Sequence, residues 1–95
     1  MIHILARITA KPGSTEQVHA ALLDLVSHTR REPGCKLYTL FQRDDEPTVF
    51  MTVEQWLDQA SADAHMRTAH LAAAMAQAGP HLAAAPEIHR YTALA

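Results

Sequence analysis

All three glycines of this chain stand beside a proline, at Pro12-Gly13, Pro33-Gly34 and Gly79-Pro80. Proline locks φ and removes a backbone donor, while glycine admits left-handed turns, so each pair stops a helix or strand. What lies between the pairs has to be filled by whole elements. In the first block Ile2, Ile4, Ala6 and Ile8 share one parity against His3, Leu5, Arg7, Thr9 and Lys11, which predicts a strand over about residues 2–11. In the second, Ser14 is placed to cap a helix, with Gln17 in the capping-box position. Val18, Ala21, Leu22, Leu25, Val26 and Thr29 then recur at helical spacing, which predicts a helix over about 15–31 with Arg30-Arg31 at the negative end of its dipole.

The third block holds more. Cys35 to Arg43 reads as a strand with Cys35, Leu37, Thr39 and Phe41 on one parity and Lys36, Tyr38, Leu40 and Gln42 on the other. The polar run from Arg43 to Pro47 turns the chain, and Thr48 to Trp56 returns with Val49, Met51 and Val53 opposite Phe50, Thr52, Glu54 and Trp56, which makes a hairpin. An alanine-rich helical region follows from about Asp58 or Ser61 to Ala78, with Thr68 as a candidate break and second cap. His81 to Ala85 has no decisive pattern, and Pro86 to Leu94 alternates as a last strand. The order β-α-β-β-α-β is the ferredoxin-like split βαβ arrangement, an α+β fold with two helices on one face of a four-stranded antiparallel sheet. At 95 residues the chain, 1–95, is a single domain, since two cores would each be too small to offset the ordering entropy.

One face of such a sheet lies under the helices. A period of two cannot place Leu5, Leu37 or Leu40, Phe41, Phe50 and Val53 all there. Something has to cover the remainder, and a homodimer joined through its sheet faces is the simplest cover.

Composition removes several function classes. Eight Lys and Arg against ten Asp and Glu, with formal net charge -2 and no basic stripe, argue against a nucleic-acid partner. No stretch is long and apolar enough to span a bilayer and no secretory leader opens the chain, so no membrane partner and a cytoplasmic location are expected. Cys35 is the only cysteine, which rules out an intrachain disulfide and a cysteine metal cage and favours an inert packing thiol. Neither GxGxxG nor a P-loop can be built from these glycines.

The densest set of chemically able side chains is Glu54-Gln55-Trp56 followed by His65 and His70. Glu54 and Trp56 share a strand face and His65 enters the helical region just after it. The layout predicts one cavity between sheet and helix, with His65 as proton acceptor or donor, Trp56 shaping the wall and offering its N–H, and Glu54 orienting a donor or a polar substrate group. The competing reading makes Trp56 core packing, Glu54 a buried support and His65 a tether. Tyr38, His70, Met66 and Tyr91 are the candidate substrate-binding residues. On one continuous helix His65 and His70 would point about 140° apart. No third ligand accompanies them in the sequence, so no metal site is expected.

Ala10-Lys11-Pro12-Gly13 before the helix, Arg31-Glu32-Pro33-Gly34-Cys35 with Tyr38 after it, Glu54-Gln55-Trp56, and Asp63-Ala64-His65 through His70 together resemble the antibiotic biosynthesis monooxygenase domain family, including its small quinol monooxygenase-like members. The resemblance spans nearly the whole chain. It implies a dimeric α/β-barrel-like assembly of two ferredoxin-like subunits, each with a pocket between sheet and helices for a small apolar or aromatic molecule. Some relatives oxidise phenols or quinols with dioxygen and without flavin, haem or metal, which implies no cofactor; others degrade haem, and one branch isomerises a phosphorylated sugar derivative. Glu54, Trp56, His65, His70 and Tyr38 match the family's pocket positions. The chain contains no asparagine, so the asparagine-tyrosine-tryptophan set of the polyketide-oxidising members is incomplete. The expected activity is cofactor-independent oxidation of a quinol or other electron-rich aromatic, with isomerisation or a non-catalytic dimeric binding module as alternatives.

Overall fold

The structure is a computed structural model that describes residues 1–95. Its elements are β1 (Ile2–Thr9), α1 (Thr15–Thr29), β2 (Cys35–Gln42), β3 (Val49–Trp56), α2 (Gln59–His65), α3 (Ala69–Ala78), a 3-10 turn (Gly79–His81) and β4 (Glu87–Tyr91). The strands form one antiparallel sheet in the order β2-β3-β1-β4. Each helical connection therefore skips one strand, and the expected α+β, ferredoxin-like fold is present.

The parity of β1 fixes the layers. Ala6 and Ile8 are buried with Val18, Leu22 and Leu25 of α1, Phe50 of β3 and Ala74 of α3. A second cluster joins Val26, Tyr38, Trp56 and Ala62 beneath α1 and α2. Of the apolar residues that could not all lie under the helices, Phe50 is one that does, 1% exposed. The reverse face carries Leu5, Met51 and Val53, partly exposed, with Leu37 and Phe41 at 38% and 52%.

Four local expectations change. Ser14 makes no side-chain cap, because its hydroxyl pairs with His81 Nδ1 at 3.1 Å and ties the start of α1 to the 3-10 turn. α1 ends at Thr29 and the last strand shortens to five residues, Glu87–Tyr91. A register shift between Cys35 and Leu37 brings Cys35 opposite Trp56, off the parity of Leu37. The candidate break at Thr68, by contrast, is present, and the second helical region is two helices. Asp58 caps α2 by accepting from Ser61 N, and Thr68 caps α3 by accepting from Leu71 N at 3.3 Å.

Two of the punctuating glycines have distinct work. Gly13 has φ 83, a turn conformation that β-carbons disfavour. Gly34 lies against α2: a Cβ there would come within 2.1 Å of Ser61 Oγ, and Leu57 N donates to its carbonyl at 2.8 Å. This close approach sets the neighbouring Glu32 beside the end of α2.

Candidate functional site

Strand register builds the floor of a cavity between the sheet and the helices. Tyr38, Glu54 and Ile4 stand side by side on β2, β3 and β1, and Thr52, Ala6 and Ile88 form the next row. α1, α2 and α3 supply the roof, with His65 and Met66 where α2 ends. The cavity measures about 80 Å³; 11 of its 15 lining residues are hydrophobic and none is lysine or arginine.

Glu54 is 4% exposed, and its carboxylate is satisfied from its own strand. Thr52 Oγ1–H donates to Oε2 at 2.7 Å and Trp56 Nε1–H donates to Oε1 at 3.0 Å. Residues i−2, i and i+2 of a strand share a face, which is why three alternate residues can make this tripod. Burial pushes the Glu54 carboxyl up, and the two hydrogen bonds and His65 pull it partly back. Burial and the Glu54 carboxylate also drive the Tyr38 hydroxyl strongly upward, so it stays a neutral hydrogen-bonding group.

His65 is 4% exposed and stacks on Trp56, ring centroids 4.7 Å apart, with Tyr38 5.6 Å away on the other side. Its Nδ1 lies 2.7 Å from Glu32 Oε2. His70 Nε2 lies 2.8 Å from the same oxygen. A carboxylate oxygen only accepts, so both of these ring nitrogens carry the proton. Neutral His65 then has a bare Nε2, and the ring borders the cavity. Glu32 orients His65 from the side away from the ligand space, the arrangement that holds an imidazole in one tautomer.

The structure therefore brings His65, Glu54, Tyr38 and Met66 together at the cavity. Trp56, 0% exposed, is behind His65, and its N–H is committed to Glu54, so it supports the wall without offering a donor to a ligand. His70 meets His65 through Glu32, outside the cavity lining. Tyr91 is opposite His3 on the reverse face, 51% exposed, and does not reach the cavity. Spacing along the chain does not single out Glu32. It sits 33 residues before His65, and the one signal for it is its position in Arg31-Glu32-Pro33-Gly34, where the turn anchors it. Burial, Glu32 and Glu54 push the Cys35 thiol up, away from the thiolate that a nucleophile needs.

The chain is thus a split βαβ α+β domain with an imidazole-carboxylate pair beside a mostly apolar cavity. The antibiotic biosynthesis monooxygenase family model matches residues 1–77, and the chain belongs to that family. It is 36% identical over 86 residues to a Bacillus subtilis (strain 168) protein named "Putative monooxygenase YcnE", covering 90% of each. Among solved structures, PA3566 from Pseudomonas aeruginosa superposes with a TM-score of 0.92 at 32% identity, covering 99% of this chain and 94% of that one. Another, described as an antibiotic biosynthesis monooxygenase, superposes over 100% of both chains with a TM-score of 0.94 at 28% identity.

Proposed function

We propose that this protein is a cofactor-independent monooxygenase acting on a quinol or another electron-rich, single-ring aromatic. The observation that carries the reading is the pairing of a bare His65 Nε2, backed by Glu32, with a cavity whose walls are otherwise mostly apolar. His65 takes the phenolic proton, and the anion that remains is electron-rich enough to reduce dioxygen directly. One oxygen atom enters the ring as a carbonyl and the other leaves as water, the substrate supplying the four electrons. Tyr38 lines the same cavity as a neutral hydroxyl able to donate to the charge that develops, and the mostly apolar walls strengthen that interaction. Glu54 faces the same space, its carboxyl held above the ordinary carboxylate range by burial and fixed in place by Thr52 and Trp56.

Size and charge narrow the substrate. An apolar cavity of 150 Å³ admits benzene, so the about 80 Å³ here has to widen even for one ring. Met66, unbranched and 52% exposed beside the α2–α3 break, is the wall residue best able to move. A phosphorylated substrate would call for a cation in the lining, and there is none, which disfavours the isomerase alternative. The non-catalytic alternative draws on one fact: both oxygens of Glu54 are already bonded within the chain.

The reading includes a homodimer. Leu5, Leu37, Phe41, Met51 and Val53 make the reverse face apolar at its centre, and a second copy of the same face is its cover through a two-fold axis. The test of function is dioxygen uptake with a panel of reduced quinones, corrected for autoxidation. The wild type is expected to consume oxygen with at least one, and His65→Ala to fall by about 100-fold or more, the scale of a general base. No protein-dependent uptake across the panel refutes the oxygenase, and an unimpaired His65→Ala removes His65 from its role.

A further inference from the structure

Glu32, His65 and His70 form a constellation behind the cavity, and we propose that it binds one divalent transition ion of the zinc class through His65 Nδ1, Glu32 Oε2 and His70 Nε2. These three ligating atoms all lie within 4.8 Å of one another. They come from three places in the fold: the turn after α1, the last residue of α2 and the first turn of α3. The break at Thr68 is what allows it. On a continuous helix the two imidazoles would diverge, whereas here the second helix restarts and turns His70 back to the same oxygen.

The donor set selects the ion. Two imidazoles and one carboxylate suit zinc, nickel, copper or iron, whereas magnesium and calcium take oxygen donors. A tetrahedral ion with bonds of about 2.0–2.1 Å separates its ligands by about 3.4 Å. The 2.7 and 2.8 Å contacts to Glu32 Oε2 therefore open by less than an ångström as two shared protons give way to one ion. The surroundings hold the ligands in place. Thr68 Oγ1–H donates to the His65 carbonyl at 2.8 Å, and the His28 ring stacks on His70 with centroids 5.8 Å apart. His70 is 21% and Glu32 13% exposed, which gives an ion a way in and leaves room for water as the fourth ligand.

Binding has a chemical consequence, which rests on the function proposed above. In the ion-free cluster His65 carries its proton on Nδ1 and presents a bare Nε2 to the cavity. An ion on Nδ1 moves that proton to Nε2, so the same ring meets the substrate as a donor and cannot take the phenolic proton. No net proton is gained or lost by the neutral ring. The site is therefore inhibitory, and metal-free protein is the active form.

The test is calorimetric titration of chelator-treated protein with Zn²⁺, with Mg²⁺ as the comparison, and a heteronuclear spectrum of the histidine rings. One Zn²⁺ per chain is expected, with no Mg²⁺ binding and a shift of His65 from the Nδ1–H to the Nε2–H tautomer. Glu32→Gln and His70→Ala are each expected to weaken Zn²⁺ binding by about 100-fold or more, since even outer partners of a metal site are worth about 10- to 100-fold. His89→Ala, exposed on β4, is expected to bind as the wild type does. Absence of saturable Zn²⁺ binding, equal binding of Mg²⁺, or undiminished binding by either ligand variant overturns the site. Unchanged oxygen uptake in the Zn²⁺-loaded wild type overturns the inhibitory role. Calorimetry needs no turnover, so a failure of the oxygenase assay leaves the metal site intact and the two readings fall separately.

Discussion

Thr52→Val removes one hydroxyl and keeps the side-chain shape, which isolates the 2.7 Å hydrogen bond to Glu54 Oε2. Thr52 is 1% and Glu54 4% exposed, so water cannot replace the lost donor. A hydrogen bond to a charged group contributes about 1.5–3 kcal/mol. Taking about 2 kcal/mol, and about 4–8 °C per kcal/mol for a domain of this size, the midpoint should fall by about 8–16 °C near neutral pH. The penalty also has a pH signature. Burial holds the folded Glu54 carboxyl above its unfolded value of 4.5. Its contribution to stability is then fully present below that unfolded value and lost as pH rises through the folded one. Thr52→Val removes a group that lowers the folded value, so the loss above it deepens while the acid limb changes little. Tyr38 stays protonated throughout and adds no slope. Urea denaturation at about pH 7.5 and about pH 4, at one fixed protein concentration, measures both limbs. At the lower pH the penalty should shrink to the about 0.5–1.5 kcal/mol of a neutral hydrogen bond. A penalty equal at both pH values, or below about 0.5 kcal/mol at the higher one, refutes the reasoning.

Three further outcomes are expected. Thr68→Ala removes the cap of α3 and the bond to the His65 carbonyl, and should cost about 0.5–2 kcal/mol in chemical denaturation while lowering kcat more than it raises KM. Gly34→Ala drives a methyl into Ser61 and should lose about 1–3 kcal/mol; Ser61→Gly in the same chain should restore most of it, and a double variant no better than the single would show the clash is not the cause. Phe41→Asp places a charge on the reverse face, and sedimentation should show a dimeric wild type and a monomeric, still folded variant; a dimeric variant or a monomeric wild type contradicts the sheet-face assembly.

The fold was legible because the helix-facing parity in β1 and β3 is unbroken and three of the breaks, before and after α1 and after α3, carry a proline beside a glycine. Ser14 shows where local reading ends: its capping box looks complete in sequence, yet His81, 67 residues on, takes the hydroxyl. Cys35 shows it again, since a register shift at Lys36 reverses the parity of the strand's first residue. Of the site, Glu54, His65, Tyr38 and Met66 could be read from strand spacing and the entry to the second helix. Tyr91 could not be placed, because which parity of β4 faces the helices depends on its pairing with β1, and that pairing sets Tyr91 opposite His3 on the reverse face. Glu32 lay beyond any periodicity argument, being a turn residue that reaches two helices through a side chain. That same contact is what brings a third potential ligand to the two histidines, one that no spacing along the chain reveals.

The Thr52-Glu54-Trp56 tripod lies wholly within one strand, whereas the Glu32 cluster draws on a turn and two short helices. The tripod needs only β3 and its neighbours in place, so it should form early and persist through brief undocking of the region around Thr68. Such undocking would part the imidazoles from Glu32 while leaving the buried carboxylate where it was. Amide exchange should accordingly divide the site into a slow half along β3 and a fast half at the α2–α3 junction, with substrate entering through the half that opens.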